Sequence, residues 1–441
     1  MRVTIFSHSS TNTGGGEGAM LELIKAISNG AEVSVVLPEK GQIEQLLMDK
    51  GIATEIIDIP WWVRNDVIAV GSRRYSRVTK SLSDLDSYLE RFRPDVCITN
   101  TSVIPWGAVA ARQKGVPHIW YIHEMIDEQS EIKYEAELDL VTRMIDQLSD
   151  VVIANSEYCR DVLQRDIVPE KMLTIAPVLH LPDLDEVSSQ DVPDLYTKIR
   201  SDSSIPIILI PARIIDGKGQ LDAVKAIRVL HEKKRDFQLV LLGTSEPIYR
   251  KKIESYVTRH RISHLVHIHP FVEDPRPYIV FADILLNTSR LESFGRSTIE
   301  AMYARTPVIG ANNTAISHMI SNGSNGLLYE TGDVAGLAER ILLITDDSNV
   351  RKKIIMGGRR YASATLTQTK KAFSTLPGVL NDIANTRHEP DLALTYLWKT
   401  LDTKTDNVRI SDSTATPRRD GVSYKMIRIL KKVGRRVRRY I

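Results

Sequence analysis

The sequence predicts an α/β protein made of two doubly wound domains. Short apolar runs alternate with helical patterns over about residues 3–166, and the same alternation returns over 205–361. Continuous apolar runs are typical of buried parallel strands, and strands that alternate with helices indicate βαβ units. A passage rich in Pro and Asp, residues 177–193, separates the two series. A chain of 441 residues is also long enough for two or three domains.

Each predicted element rests on its own local pattern. Apolar runs such as VTIF and HIWYI are followed by segments in which apolar residues recur at helical spacing. The predicted strand and helix pairs of the first series are 3–6 with 17–29, 32–37 with 41–50, 95–99 with 105–115, 118–122 with 134–148, and 150–154 with 156–166. The second series has predicted strands at 205–210, 237–242, 265–269, 283–287, 306–310 and 326–329, and helices at 218–233, 246–260, 295–304, 314–321, 333–345 and 349–361.

The chain changes character after the second series. The helical pattern thins from Ala362, and residues 402–421 are polar with no apolar face, which is typical of a flexible linker. The predicted organisation is a Rossmann-like domain at 1–185, a linker at 186–204, a second Rossmann-like domain at 205–361, a helical segment at 362–401, a flexible linker at 402–421 and a basic amphipathic helix at 422–441.

Composition excludes several classes of protein. No apolar stretch approaches the ~20 residues that span a bilayer, and the N-terminus runs into a strand pattern without a signal peptide. Cys97 and Cys159 lie in an apolar run and a helical pattern, at no metal-ligand or redox spacing, so both are interpreted as packing residues in a reducing compartment. We therefore expect a cytoplasmic protein.

The segment ESFGRSTIE, Glu292 to Glu300, carries the most informative chemistry. Its two carboxylates flank the start of a predicted helix. A helix N-terminus offers unpaired N–H groups and the positive end of a dipole to phosphate, and carboxylates accept hydrogen bonds from sugar hydroxyls. The segment thus has groups for both halves of a sugar nucleotide. A loop Glu and a surface helix Glu with no ligand remain an alternative.

Two cations precede this segment in the second series. Arg213 ends a predicted strand, and Lys218 opens the next helix five residues later. An arginine fork and a lysine charge that converge on a helix N-terminus suit a diphosphate. The alternative is a pair of solvated cations, with Asp216 as a partner for either.

The first series contains a glycine-rich loop, TNTGGGEGA, at 11–19. Its glycines allow the backbone to approach a ligand closely. The string also fits G-x-G-x-x-A, with Glu39 after the second strand, which is a weak NAD fingerprint. Six residues separate the strand end at Ser7 from Gly14, whereas a dinucleotide-binding turn is tighter. A ligand-facing loop, a flexible structural turn and an NAD site stay open.

Two further groups of candidates lie in the first series. His123 follows a strand end, where imidazole can bind a sugar hydroxyl or transfer a proton. Trp61 and Trp62 lie next to Arg64, and aromatic rings suit contact with a sugar ring or a lipid. The alternatives are a histidine bonded to local backbone and a core tryptophan pair in a surface loop.

Together, these residues resemble a known family. ARIIDGKG, followed about 75 residues later by ESFGRSTIEAM, is similar to the Arg…Lys and E-x7-E pair of the retaining glycosyltransferases of family 4. GGGE resembles that family's Gly-Gly-x-Glu loop, and His123 matches its strand-end histidine. The resemblance covers about residues 1–360. It implies the GT-B fold, in which two Rossmann-like domains face each other across a cleft, with an acceptor-binding first domain and a nucleotide-sugar-binding second domain.

The resemblance also implies the roles of the site residues. Arg213 and Lys218 hold the diphosphate and stabilise the leaving group, Glu292 binds the donor sugar, and His123 contacts it near the reacting carbon. The implied donor-binding residues are Gly15, Gly16, Ser293, Phe294, Gly295, Arg296 and Ser297, with Glu300 on the ribose. Acceptor binding falls to Trp61, Trp62 and Arg64. No metal or cofactor is required in this family, and no Asp-x-Asp motif marks the site.

The expected function is transfer of a sugar from a nucleotide-diphosphate sugar to a glycan or lipid-linked acceptor, with retention, in cell-surface polysaccharide or glycolipid assembly. The family often has a small or apolar residue and then Pro where this chain has Arg296 and Ser297, so the base and the sugar are not predicted. A non-catalytic GT-B scaffold subunit and a sugar-nucleotide epimerase remain alternatives. No nucleic-acid partner is expected.

The C-terminal tail predicts a membrane partner. Residues 425–441 hold eight Lys and Arg and no acid, and removing these eight from the total of 58 leaves 50 basic against 55 acidic residues. The apolar positions Met426, Leu430, Val433, Val437 and Tyr440 recur at helical spacing among the cations. Such a helix suits the anionic inner face of the cytoplasmic membrane. A solvated helix, nucleic-acid contact and an acidic protein partner are the competing interpretations.

Deletion of 422–441 is expected to move the protein from the membrane fraction to the soluble fraction, because the apolar face and the cations are removed together. Fractionation of cells that express the full chain or the truncated chain measures this. Unchanged fractionation contradicts membrane binding by the tail.

Overall fold

The computed structural model describes residues 1–11, 15–63, 72–128, 130, 132–177, 192–201, 205–386 and 388–389. Arg64, the predicted flexible linker at 402–421 and the predicted basic helix at 422–441 lie outside the described residues.

The chain divides into two compact units, each built on one parallel sheet. Among the described residues, the first unit holds those within Met1–Asn155 and Arg160–Ile175 and those from Phe373 to Glu389, and the second holds those within Ser156–Cys159 and Ala176–Ala372. The α/β class and the two doubly wound sheets predicted from the alternating pattern are confirmed.

The elements of the first series follow the chain from β1 to β7. They are β1 (Arg2–Phe6), α1 (Gly15–Ile27), β2 (Glu32–Leu37), α2 (Gln42–Asp49), β3 (Ala53–Ile56), α3 (Ser72–Phe92), β4 (Val96–Thr99), α4 (Trp106–Gln113), β5 (His118–Ile122), α5 (Leu138–Leu148), β6 (Val151–Ala154), α6 (Glu157–Leu163) and β7 (Met172–Thr174). The sheet order is β3-β2-β1-β4-β5-β6-β7, with parallel pairing throughout. The order reverses between β1 and β4, which is where open α/β sheets leave a crevice.

Three elements of this series were not predicted. Strand β3 lies at the edge of the sheet and its ends, Ala53 and Ile56, are exposed, so it has no continuous apolar run. Strand β7, at the other edge, has only three residues. Helix α3 has a strongly polar sequence. The apolar pattern identifies central strands because both of their faces are covered, whereas edge elements need less apolar surface.

The second series forms the second sheet and its helices. The elements are α7 (Asp194–Ser201), β8 (Ile207–Pro211), α8 (Gln220–Glu232), β9 (Gln238–Leu242), α9 (Pro247–Arg259), β10 (Val266–His269), α10 (Arg276–Val280), β11 (Ile284–Asn287), α11 (Arg296–Tyr303), β12 (Val308–Ala311), α12 (Thr314–Met319), β13 (Leu327–Tyr329), α13 (Val334–Asp346) and α14 (Ser348–Ala384). The strand order is β10-β9-β8-β11-β12-β13, again with parallel pairs.

The second sheet is buried on both faces. Alternate residues of β8 enter different cores, with Ile208 and Ile210 in one and Ile207 and Leu209 in the other. The strand order reverses between β8 and β11, so the loops after these two strands emerge side by side at the switch point of the sheet.

Helix α14 is 37 residues long and contains the helix predicted at 349–361 as well as much of the segment predicted at 362–401. Its later turns bury Phe373, Leu376 and Leu380, which recur at helical spacing. Although α14 is long, neither it nor any other helix in the described part of the chain is apolar enough over a sufficient length to cross a membrane.

Two helical glycines give opposite predictions for stability. A Cβ at Gly107, in α4, would lie 2.3 Å from Cδ2 of Phe6 at the end of β1, whereas a Cβ at Gly378, in α14, would meet nothing within 4 Å. Gly107→Ala is therefore expected to destabilise the protein by about 1–3 kcal/mol through overpacking. Gly378→Ala is expected to stabilise it by roughly 0.5–1 kcal/mol through helix propensity. Thermal unfolding of both variants measures this, and a stabilising Gly107→Ala contradicts the packing at Phe6.

Candidate active site

The loop between β8 and α8 carries Arg213 and Lys218. Arg213 is exposed just after β8, and its carbonyl accepts a hydrogen bond from Nε2 of Gln220 at 2.7 Å. Gly219 has a φ of 65°, and a Cβ at this position would lie 2.1 Å from the carbonyl oxygen of Thr288. Only glycine allows this loop to lie so close to the end of β11. The Thr288 hydroxyl closes the contact by donating to the Lys218 carbonyl at 2.7 Å.

Lys218 and Glu292 form an ion pair across the switch point. Nζ of Lys218 lies 2.7 Å from Oε2 of Glu292, with the two side chains 24% and 17% exposed. The hydroxyl of Ser289 donates to the same oxygen at 3.2 Å. The two sequence motifs, 74 residues apart, thus meet in one contact. Of the two cations, Lys218 is paired and mostly covered, and Arg213 stays exposed.

The environment of Glu292 favours its charged form. Burial alone would raise the pKa of this carboxyl. The charge and hydrogen bond of Lys218, the Ser289 hydroxyl and the backbone of Phe294 outweigh burial and hold the pKa below its ordinary value. Glu292 is therefore a carboxylate that accepts hydrogen bonds, rather than an acid that donates a proton.

The loop after β12 fixes the backbone of Glu292. The Glu292 N–H donates to the Thr314 hydroxyl at 3.0 Å, and the Ala315 N–H donates to the Glu292 carbonyl at 3.2 Å. Thr314 has a φ of 43°, which is rare for a β-branched residue and is typical of functional loops. Asn313 Nδ2 donates to the carbonyl of Ser289 at 3.1 Å. Sequence reasoning missed these residues, since an Asn-Asn-Thr turn carries no motif of its own.

Helix α11 begins directly after Gly295. This residue has a φ of 85°, and a Cβ would lie 2.6 Å from Cδ1 of Ile316, so glycine is needed there. The N-cap provides no side-chain hydrogen bond to the first turn, so the start of α11 keeps the anion-binding character expected of a helix N-terminus. Phe294 is buried beneath it and Arg296 is exposed.

The remaining residues of the motif have defined surroundings. Ser297 is half-buried, and Glu300 is half-buried on α11 with a polar partner. The carbonyl of Ser293 accepts hydrogen bonds from Ser156 at 2.5 Å and from Cys159 at 3.4 Å, within the second unit. Cys159 is buried, in keeping with the packing role predicted for it.

Asp216 does not pair with Arg213 or Lys218. Its Oδ1 lies 3.4 Å from Nζ of Lys252, on α9. The carboxylate nearest to the two site cations in sequence is thus engaged elsewhere, and the carboxylate that neutralises Lys218 comes from the E-x7-E segment.

In the first unit, His123 belongs to a hydrogen-bonded cluster. It follows β5, and its Nε2 lies 3.0 Å from Oδ1 of Asn100, which follows β4. Nδ2 of Asn100 donates to the Gly16 carbonyl at 2.9 Å. A Cβ at Gly16 would lie 3.4 Å from Cδ2 of His123, so the start of α1 lies close to the imidazole. Gly15, the first residue of α1, is exposed.

Glu124 is a half-buried carboxylate that sequence reasoning missed. Its oxygens accept hydrogen bonds from the Thr101 hydroxyl at 2.5 Å, and from the N–H and hydroxyl of Ser102, each at 2.8 Å. Burial would raise its pKa, but the nearby His123 and His8, with these donors, lower it. A charged Glu124 therefore joins the turns after β4 and β5.

The tryptophan pair divides between surface and core. Trp61 is 41% exposed, and its ring lies 5.5 Å from that of His8. Trp62 is 7% exposed, and its indole N–H donates to the Ser102 carbonyl at 2.7 Å. The alternative of a core tryptophan thus describes Trp62, while Trp61 keeps an accessible ring. Glu39, part of the weak NAD fingerprint, is exposed beyond β2.

Comparison with known families shows which family carries these motifs. Residues 13–178 match the model described as Glycosyltransferase Family 4, and residues 193–361 match that of Glycosyl transferases group 1. The chain belongs to glycosyltransferase family 4. Together, the two matches include every site residue that was assigned from the resemblance.

The match between this family 4 chain and its curated relatives covers only part of each relative's length. The capsular polysaccharide biosynthesis glycosyltransferase CapM of Staphylococcus aureus is 25% identical over 40% of this chain and 45% of its own length. The lipopolysaccharide core biosynthesis glycosyltransferase LpsE of Rhizobium meliloti is 25% identical over 36% of this chain and 46% of its own. The chain thus spans less than half of these relatives.

Solved structures agree over a longer span. Anabaena HepE, in complex with UDP and glucose, has a TM-score of 0.70 at 21% identity, over 86% of this chain and 100% of HepE. A glycosyltransferase from Rickettsia africae has a TM-score of 0.70 at 18% identity, over 87% of this chain and 98% of its own. These likenesses show the GT-B fold.

The ion pair between Lys218 and Glu292 predicts that the stability cost of Glu292→Gln depends on pH. Because the folded-state pKa of Glu292 is lowered, its contribution is fully present above the ordinary carboxyl pKa of about 4.3 and is lost as pH falls through the folded value. Glu292→Gln is expected to cost about 1–2 kcal/mol at pH 7, roughly 2–8 °C in Tm, and the difference from wild type should shrink below about pH 4.

Thermal unfolding at pH 7 and at successively lower pH measures this difference. Glu254→Gln is a matched control, because Glu254 pairs with Arg250 on the surface of α9 with both side chains about half exposed. A Glu292→Gln deficit that is equal at every pH contradicts the ion pair as its source.

Proposed function

We propose that this protein is a retaining glycosyltransferase that moves a sugar from a nucleotide-diphosphate sugar to a glycan or lipid-linked acceptor. The observation that carries the proposal is the contact of Lys218 with Glu292 at the switch point of the second sheet, with Arg213 at the same sheet edge. A phosphate-binding cation and a hydroxyl-binding carboxylate in contact suit the junction between a diphosphate and a sugar.

The proposed chemistry follows from the charges that develop during transfer. Breaking the bond between the anomeric carbon and the diphosphate oxygen leaves positive charge on the sugar and negative charge on the diphosphate. Arg213, Lys218 and the N–H groups at the start of α11 are assigned to the diphosphate. Glu292 takes the sugar hydroxyls, which its lowered pKa supports because a carboxylate is a strong acceptor. Glu300 is assigned to the ribose. No metal or cofactor has a role in this assignment.

When the donor binds, Lys218 is expected to leave Glu292 and to pair with the diphosphate. In the structure the charge of Lys218 is compensated by Glu292, with Nζ 2.7 Å from Oε2. A diphosphate is a stronger anionic partner, so Lys218 turns to it and Glu292 is released toward the sugar hydroxyls. The ion pair therefore keeps both side chains near their working positions before the donor arrives.

The relatives support a place in cell-surface polysaccharide or glycolipid assembly. CapM acts in capsular polysaccharide biosynthesis and LpsE in lipopolysaccharide core biosynthesis, according to their names. The HepE complexes with UDP, with UDP and glucose, and with UDP-glucose make UDP sugars the first donors to test. The accessible Trp61 is the proposed acceptor contact.

The proposed location is the inner face of the cytoplasmic membrane, through residues 422–441. The support is the sequence of the tail, with its eight cations and its apolar positions at helical spacing. A lipid-linked acceptor would be concentrated at the same surface.

The two alternatives make different demands on the chain. A non-catalytic scaffold subunit would tolerate loss of a phosphate-binding cation or a motif carboxylate, yet Arg213, Lys218, Glu292 and Glu300 are all present. An epimerase would release a modified nucleotide sugar without any acceptor. Incubation with a donor alone, followed by analysis of the nucleotide sugar, separates the epimerase from the transferase.

Lys218→Ala and Arg213→Ala are each expected to lower transfer by roughly 10²–10³-fold, because each removes a cation that stabilises the leaving diphosphate. Initial rates of nucleotide release with an acceptor measure this, and the anomeric configuration of the product, read by NMR, tests retention.

Lys252→Ala is the matched control. Lys252 lies near the same loop, where it pairs with Asp216 at 3.4 Å, but its side chain is 57% exposed and it has no assigned role. Near-wild-type turnover of Lys218→Ala or Arg213→Ala would falsify the assignment, and an inverted product would exclude the retaining mechanism alone.

A further inference from the structure

We infer that Asn100 is a positioning residue that sets the tautomer and the orientation of His123, and that it takes its own orientation from the Gly16 carbonyl. The inference rests on the proposed function, because His123 is assigned to the donor sugar. Asn100 itself belongs to no motif recognised in the sequence.

The orientation of the Asn100 amide follows from hydrogen-bond chemistry. Its side chain lies 2.9 Å from the Gly16 carbonyl oxygen and 3.0 Å from Nε2 of His123, through different atoms. A carbonyl oxygen can only accept, so the NH₂ group of Asn100 must face Gly16. Oδ1 of Asn100 then faces His123, and an amide oxygen can only accept.

The tautomer of His123 follows from the orientation of Asn100. Because Oδ1 accepts, Nε2 of His123 must carry the hydrogen. In the neutral ring the lone pair is therefore on Nδ1, and Nε2 cannot serve as a base. Any hydrogen bond that the neutral ring accepts from a sugar hydroxyl, or any proton that it takes up, involves Nδ1.

The surrounding structure holds Asn100 and His123 in register. Asn100 continues β4, where its N–H donates to the Phe6 carbonyl at 3.0 Å, and it is fully buried. The half-buried Glu124, which directly follows His123, accepts hydrogen bonds from Thr101 and Ser102 in the turn after β4. On the other side, Nδ2 of Asn155 donates to the His123 carbonyl at 2.9 Å. The pair is thus fixed by contacts to β1, β4 and β6.

Gly16 connects Asn100 and His123 to the glycine-rich segment that begins the first helix. The carbonyl that orients Asn100 belongs to the Gly-rich segment assigned to the donor, and a Cβ at Gly16 would lie within 4 Å of both His123 and His8. A shift of the Gly16 loop when the donor binds would therefore move the amide and the imidazole with it.

The first experiment reads the tautomer directly. NMR of the full-length protein with ¹⁵N-labelled histidine, assigned by comparison with His123→Gln, reports which ring nitrogen carries the hydrogen. The expected result for the neutral ring of His123 is a hydrogen on Nε2. A hydrogen on Nδ1 overturns the inference, whatever the protein's activity.

The second experiment compares three variants. Asn100→Ala removes the acceptor for His123 and the donor to Gly16, and kcat is expected to fall about 10–100-fold with loss of the single tautomer. Asn100→Asp keeps an acceptor toward Nε2 and is expected to retain the Nε2–H form. Asn155→Ala is the matched control, since it removes an amide contact to the backbone of His123 and should leave the ring tautomer unchanged.

The outcomes separate positioning from a purely structural role. If Asn100→Ala keeps the wild-type tautomer, or keeps kcat within about twofold per folded molecule, Asn100 does not position His123. Binding of donor is measured in parallel by calorimetry with UDP-glucose. If wild type neither binds nor transfers any nucleotide sugar, the proposed function fails, while the NMR result still decides the tautomer and the role of Asn100 in setting it.

Discussion

The contact between Lys218 and Glu292 depends on the topology of the second sheet. The two residues lie 74 positions apart, and they meet because β8 and β11 are neighbours at the point where the strand order reverses. The approach of the two loops requires Gly219, whose missing Cβ lets the backbone lie against Thr288. Strand order, a glycine turn and an ion pair thus combine to hold a cation and a carboxylate at one sheet edge, where open α/β sheets bind ligands.

The first unit also brings side chains together at the switch point of its sheet, through hydrogen bonds between neutral groups. Its strand order also reverses, between β1 and β4, and the residues that follow the central strands meet as Gly16, Asn100 and His123. A half-buried carboxylate, Glu124, joins the two turns through hydrogen bonds from Thr101 and Ser102. The second unit thus brings two charged side chains together at its sheet edge, whereas the first unit holds an imidazole through hydrogen bonds to neutral groups.

Much of the central architecture could be predicted from the sequence because buried parallel strands have a simple apolar signature. The Arg213, Lys218 and E-x7-E spacing could also be recognised, since these residues are tied to one chemistry. The edge strands β3 and β7 carry little apolar surface and left no such signal. Thr314, Asn100 and Glu124 could not be found, because their importance depends on neighbours more than 20 residues away in the chain.

The donor site formed by Lys218 and Glu292 is tested most directly by thermal unfolding of the full-length protein in the presence of UDP-, GDP-, ADP- and dTDP-sugars. A ligand that binds only the folded state raises Tm. At a concentration of 100 times its Kd, such a ligand stabilises the folded state by about 2.7 kcal/mol. At least one nucleotide sugar is expected to raise Tm, and Lys218→Ala is expected to abolish this rise. A panel in which no nucleotide sugar raises Tm, or one whose effect survives Lys218→Ala unchanged, contradicts the donor site formed by Lys218 and Glu292.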